Sequence, residues 1–182
     1  VRNATAFLYP VGQDRARGIG FVLMVWIACG ASAHADTYRT RTFPLSFPRG
    51  TIYTTPKVGR PMKQTIEYLR FKTEPGAAVA VIPEEQLINF LAETPHPTTD
   101  TGVGPGWLAT REDEVRFLRQ IDEADTKFLI ISRRRYPEFH TGNFASYEPW
   151  VTEQLQKKYR REANTQYYQI WIRNPTPQGG RP

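Results

Sequence analysis

The feature that most constrains this chain is a charge-free run of fifteen residues, Ile19 to Ala33 (IGFVLMVWIACGASA). A helix that is apolar all round has no polar face to turn to water, and a small soluble domain offers little interior to hide it. Arg15 and Arg17 precede the run and Ala33-His34-Ala35 follows it. A basic start, an apolar stretch and a small-x-small end describe a secretory signal with cleavage near Ala35. A transmembrane helix is the main rival: the run is slightly shorter than the roughly 20 residues of a spanning helix, which tilt or local thinning would accommodate. Arg39, Arg41 and Arg49 on the far side balance Arg15 and Arg17, so charge leaves the orientation open. A lipid-modified Cys29 is a third reading, with Trp26 where such signals carry leucine, and a buried core helix is the fourth. The first three bring the rest of the chain to a membrane or across it.

A length of 182 residues allows one domain and its ancillary segments. With 40% hydrophobic and 13% aromatic residues, the body can build a core. The formal charge of +6 favours phosphates, of nucleic acid or of anionic lipid heads. No recognition-helix or RNA-binding signature accompanies it, so the charge reads as scattered surface arginine and nucleic acid is not expected as a partner. Cys29 is the only cysteine, which excludes a disulfide framework or a thiolate metal site.

Residues 1–36 therefore form a membrane or signal segment, and 37–60, rich in Pro, Thr and Arg, read as an extended linker with a short strand at Thr51–Thr55. The α/β domain is expected over 61–174, followed by a disordered tail at 175–182. Pro61 is a favourable helix start, with Met62, Ile66 and Leu69 as the apolar stripe. Ala77–Ile82 (AAVAVI) and Lys127–Ser132 (KFLIIS) are continuous apolar runs of the kind buried on both faces of a sheet. Pro83-Glu84-Glu85 is expected in the first turn of the next helix, where the dipole favours carboxylates. Thr110 and Asp113 suit a capping pair for a helix carrying Val115, Leu118 and Ile121. Pro149 opens a helix with Val151, Leu155 and Tyr159, and Tyr167–Arg173 alternates as a half-exposed third strand. The crossover between the first two strands implies a parallel pair. The fold class is thus α/β: a small three-layer domain with a mainly parallel, roughly three-stranded sheet flanked by helices, plus an N-terminal apolar helix.

In such sheets ligands gather beyond the carboxyl ends of the strands. Those ends carry Glu84 and Glu85 after the first strand and Arg133, Arg134 and Arg135 after the second, with Glu138 and His140 close in sequence. Together they could form a phosphate or carboxylate clamp, against which stands a plain surface network of ion pairs. Sites for chemistry are missing. Gly102, Gly104 and Gly106 lie in a Pro-rich loop and not after a strand. His34, His96 and His140 lack metal-ligand spacing, and Ser132 and Ser146 have no nucleophile motif. No cofactor, metal or catalytic residue is expected. The loops Glu93–Ala109 and Arg133–Glu148 are the places to look for ligand contact.

Several short motifs carry a resemblance. They are Pro48-Arg49-Gly50 with Tyr53 and Pro56, Pro75-Gly76, Ile82-Pro83-Glu84, Ile88-Asn89-Phe90-Leu91, Pro97, Pro105-Gly106, the helix at Glu112, and Arg135 with Glu138, Phe144, Tyr147 and Tyr159. Over Pro44 to Arg173 the pattern resembles the C-terminal soluble region of polytopic glycosyltransferases of the protein-mannosyltransferase and aminoarabinose-transferase type. The resemblance implies that the apolar run is similar to such an enzyme's final transmembrane helix. It also implies an extracytoplasmic, periplasmic body, with a polytopic glycosyltransferase membrane domain or a polyprenyl-phosphate sugar as partner. Ala145 departs from it, standing where a glycine is expected. The family's catalytic acid belongs to a loop between earlier membrane helices, a region this chain lacks, so the expectation is a non-catalytic accessory domain. A free-standing exported binding protein is the alternative, and a small extracytoplasmic hydrolase has less in its favour.

Overall fold

The computed structural model describes residues 11–100, 102–133, 135 and 142–175, and the chain divides into two compact units, Val1–Thr42 and Phe43–Pro182. The first unit is the helix α1 (Val11–Thr40). At 1.5 Å per residue its 30 residues reach about 45 Å. Every side chain from Ile19 to Ser32 is exposed, Phe21 and Trp26 among them. The Ile19–Thr40 stretch is long and apolar enough to cross a membrane, a description that a signal sequence also meets.

The second unit opens on the hairpin β1 (Phe43–Phe47) and β2 (Gly50–Thr54). Its turn, Pro48-Arg49, leads into Gly50 at φ +141°, a backbone conformation that side chains rarely adopt. The stretch 37–60 read as linker thus contains two paired strands, the second close to the short strand expected at Thr51–Thr55, with Leu45 opposite Ile52. Leu45 is fully buried among Met62, Ile66 and Leu69. The helix expected from Pro61 starts earlier: α2 (Pro56–Lys72) has Pro56 in its first turn and Pro61 buried within it. Its fourth residue, Gly59, lies so close to Phe43 and Thr54 of the hairpin that no Cβ would fit without displacing them.

The strands β3 (Val79–Ile82) and β4 (Phe128–Ser132) are the two apolar runs, and they pair in parallel, Val81 against Ile130. Between them lie α3 (Leu87–Ala92) and α4 (Arg111–Glu123). The capping box at Thr110 and Asp113 is formed in both directions. Two expectations fail on these helices. Glu84 and Glu85 precede α3 and do not occupy its first turn, because Glu85 takes a left-handed φ of 88° that a helix cannot include. Val115 is exposed, and the buried stripe is Phe117, Leu118 and Ile121.

The largest departure is in the sheet. After α5 (Phe144–Tyr147) and α6 (Pro149–Lys158) the chain becomes extended at Tyr159. It forms β5 (Tyr159–Asn164), turns, and returns as β6 (Tyr168–Arg173). The order is β3-β4-β6-β5, with only β3/β4 parallel and both other pairs antiparallel. The sheet is therefore mixed and four-stranded, not mainly parallel with three strands. Tyr159 closes the apolar row of Val151 and Leu155 that predicts a continuing helix, yet it opens a strand whose remaining residues are mostly charged or exposed. Such a sequence has no strand periodicity of its own. Its partner β6 and the edge position make it a strand, and Arg160, Arg161 and Glu162 suit an edge that meets water. For the same reason β6 is an interior strand, with Tyr168, Ile170 and Trp171 buried.

Alternate residues of the sheet feed two cores. Ala80, Ile82, Leu129, Ile131 and Trp171 pack with α4 and α6. Val79, Val81, Phe128, Ile130, Tyr168 and Ile170 pack with α2, α3 and the hairpin. This is the helix–sheet–helix layering expected of an α/β chain.

Candidate functional site

The carboxyl ends of β3 and β4 adjoin because the strands are parallel and in register, Ile82 beside Ile131. Past Ile82 a cis bond to Pro83 turns the chain and delivers Glu85. Past Ser132 the backbone N–H of Arg133 donates to the carbonyl of Tyr167 at 2.7 Å, which carries the sheet pairing one residue beyond the strand. Between these ends lies a cavity of about 390 Å³, lined by Glu85, Ser132, Arg133, Arg135, Tyr167 and Tyr168.

Tyr168 is the anchor. Paired with Ser132 across the sheet and 1% exposed, its hydroxyl bonds the Glu85 carboxylate. Burial, and then that carboxylate, push the tyrosine pKa up, so it stays protonated and donates. The left-handed backbone of Glu85 is the kind of local strain that surrounding contacts must hold in place. Arg133 and Arg135 are exposed at the rim and have no ion pair among the described residues. Two guanidinium groups beside one carboxylate can take an oxyanion in bidentate fashion while the carboxylate accepts from a hydroxyl of the same ligand.

Of the residues anticipated here, Glu85, Arg133 and Arg135 come together on one cavity. Glu84 is half-buried and does not line it. Arg134, Glu138 and His140 lie outside the described residues, as do 176–182 of the tail. Tyr167 and Tyr168 were not anticipated; their position at the start of an alternating strand was visible, but its place beside β4 was not. The loop Glu93–Ala109 is largely structural. Val103 and Leu108 enter the core, and His96 bridges backbone groups, its Nε2 3.3 Å from the Val81 carbonyl and its Nδ1 accepting from the Thr98 N–H at 3.3 Å. Burial holds the His96 pKa below the ordinary histidine value.

A carboxyl pair on the other helical layer was also missed. Glu148 is 4% exposed and shares a hydrogen bond with Glu114, whose other contact is Arg111 at 2.8 Å. The Arg111 guanidinium in turn lies 3.9 Å from the Trp150 ring centre. Burial, then Glu114, push the Glu148 pKa up to about 7. Among the described residues no group of three or more His, Cys, Asp or Glu is placed to hold a metal ion.

No family profile matches the chain, and no curated protein is significantly similar to it.

Proposed function

We propose that this chain is a membrane-associated, non-catalytic binding domain whose strand-end cavity takes the anionic head of a polyprenyl-phosphate sugar. The observation that carries the reading is the convergence of Arg133 and Arg135 with Glu85 and Tyr168 on one cavity at the carboxyl ends of a parallel strand pair. The exposed apolar face of α1 supports a lipid neighbourhood. The motif pattern over Pro44–Arg173 supports kinship with the C-terminal region of polytopic glycosyltransferases, and with it an extracytoplasmic location and a polytopic membrane domain as partner.

The test is titration of a short-chain isoprenyl-phosphate sugar into the full chain in detergent. The double variant Arg133→Ala/Arg135→Ala is expected to lose tenfold or more in affinity, about 1.4 kcal/mol. Unchanged affinity in that variant would end the clamp reading. The small-x-small run Ala33-His34-Ala35 favours a second reading, an exported soluble binding protein. A mature N-terminus near Asp36 on the expressed product would establish it over the anchored form.

A further inference from the structure

The opposite face of the sheet carries a second cavity, of about 470 Å³, between the end of β4, the β5/β6 hairpin and α6. That volume lies within the range of small-molecule sites. Its chemistry differs from that of the first. Three carboxamides, Asn143, Gln156 and Gln169, line it, each able to donate and accept. Two are already oriented: Gln169 accepts from the indole N–H of Trp171 at 3.1 Å, and Asn143 accepts from Ser146 at 3.3 Å. Their NH₂ groups are left as donors.

Thr152 also lines the cavity, with its hydroxyl oxygen enclosed in the protein. The cavity also holds two cations, Arg133 and Arg161, neither of which has an ion pair among the described residues. No acidic side chain is among the described residues that line it. Trp171 adds an apolar surface whose polar edge is already satisfied.

We propose that this cavity binds an anionic saccharide: a hydroxylated ring carrying one phosphate or carboxylate. The carboxamides meet ring hydroxyls, the indole meets an apolar ring face, and Arg133 and Arg161 hold the anionic group. The site adds to the strand-end clamp and does not rest on it, since only Ser132 and Arg133 line both cavities.

The experiment is calorimetric titration of the full chain in detergent with glucose 1-phosphate, glucuronate, glucose and inorganic phosphate. Saturable binding of glucose 1-phosphate or glucuronate is expected, at least tenfold tighter than glucose or phosphate alone, and the better of the two identifies the anion. Arg161→Ala and Gln156→Ala should each weaken it about tenfold, while Arg135→Ala leaves it unchanged. Arg161 is exposed, so its variant keeps the fold, which a thermal melt verifies. The proposal is overturned if neither anionic sugar binds, if phosphate alone binds as tightly, or if Arg161→Ala binds like the parent. Loss in Arg135→Ala with retention in Arg161→Ala would assign the ligand to the strand-end clamp instead and would equally overturn it.

Discussion

Glu148 shows how a single side chain acquires chemistry that its type does not foretell. A carboxyl enclosed at the start of α6 and set against Glu114 keeps its proton to about pH 7, whereas in the unfolded chain it ionises near 4.5. Arg111 is the cation of the cluster, and it is committed to Glu114 and Trp150. A raised native pKa means that the folded state holds more protons than the unfolded state between those two values. Stability is therefore greatest below about pH 4.5 as far as this group is concerned, and it falls as pH rises to about 7. Glu148→Gln removes the ionisation and should flatten that slope. Allowing for screening, it should stabilise the chain by about 1–2 kcal/mol at pH 8 relative to the parent. Thermal melts of both proteins from pH 4.5 to 8 measure it, and parallel curves would show that Glu148 does not carry the dependence. At this scale the sequence was silent, because Glu148 and Glu114 are 34 positions apart and only packing sets them together. The same holds for Glu85 and Tyr168.

At the level of elements, local signals were strong where one segment could express them alone. Thr110 and Asp113 close their capping box within a single turn, and AAVAVI and KFLIIS are apolar enough to be interior strands under almost any pairing. Elements defined by a neighbour were not legible. The stretch from Thr37 to Arg60 reads as linker with one short strand at Thr51–Thr55 because its prolines break helices, yet Pro44 tolerates a two-stranded hairpin and Leu45 reaches the core. Gly59 marks the cost of that arrangement. It reads as a helix breaker, but it is the place where α2 approaches Phe43 and Thr54 too closely for a side chain. Alanine there would gain about 1 kcal/mol of helix propensity. It would also overpack a contact, which costs about 1–3 kcal/mol. The ring of Phe43 is half-buried and cannot swing freely away, so the packing loss wins. Gly59→Ala should lower stability, by up to about 2 kcal/mol in denaturant titration, and a gain would mean that the hairpin does not pack on α2.

For the molecule as a whole, the two units differ in what they bury. The apolar side chains of α1 are exposed from Ile19 to Ile27, whereas Phe43 to Arg173 carries two cores and every strand among the described residues. A chain beginning at Phe43 should stay in the aqueous phase and melt cooperatively, while the full chain partitions into detergent or membrane. Detergent phase separation with a thermal melt tests both halves of that statement, and loss of the cooperative transition on truncation would show that α1 is part of the folded body. What the sequence determined by itself was whatever depends on one contiguous segment: the apolar N-terminal helix, the parallel pair of buried strands with helices over them, the capping box, and the charged residues at the strand ends. Tertiary structure alone decided the antiparallel half of the sheet, the hairpin under α2, and both cavities. It also decided which arginines line a cavity and which carboxyl keeps a proton. The reason is physical. Periodicity and capping act over a turn or a strand and are written into neighbouring residues, whereas edge pairing, close approach and desolvation arise between residues that only the folded chain brings within a few ångströms.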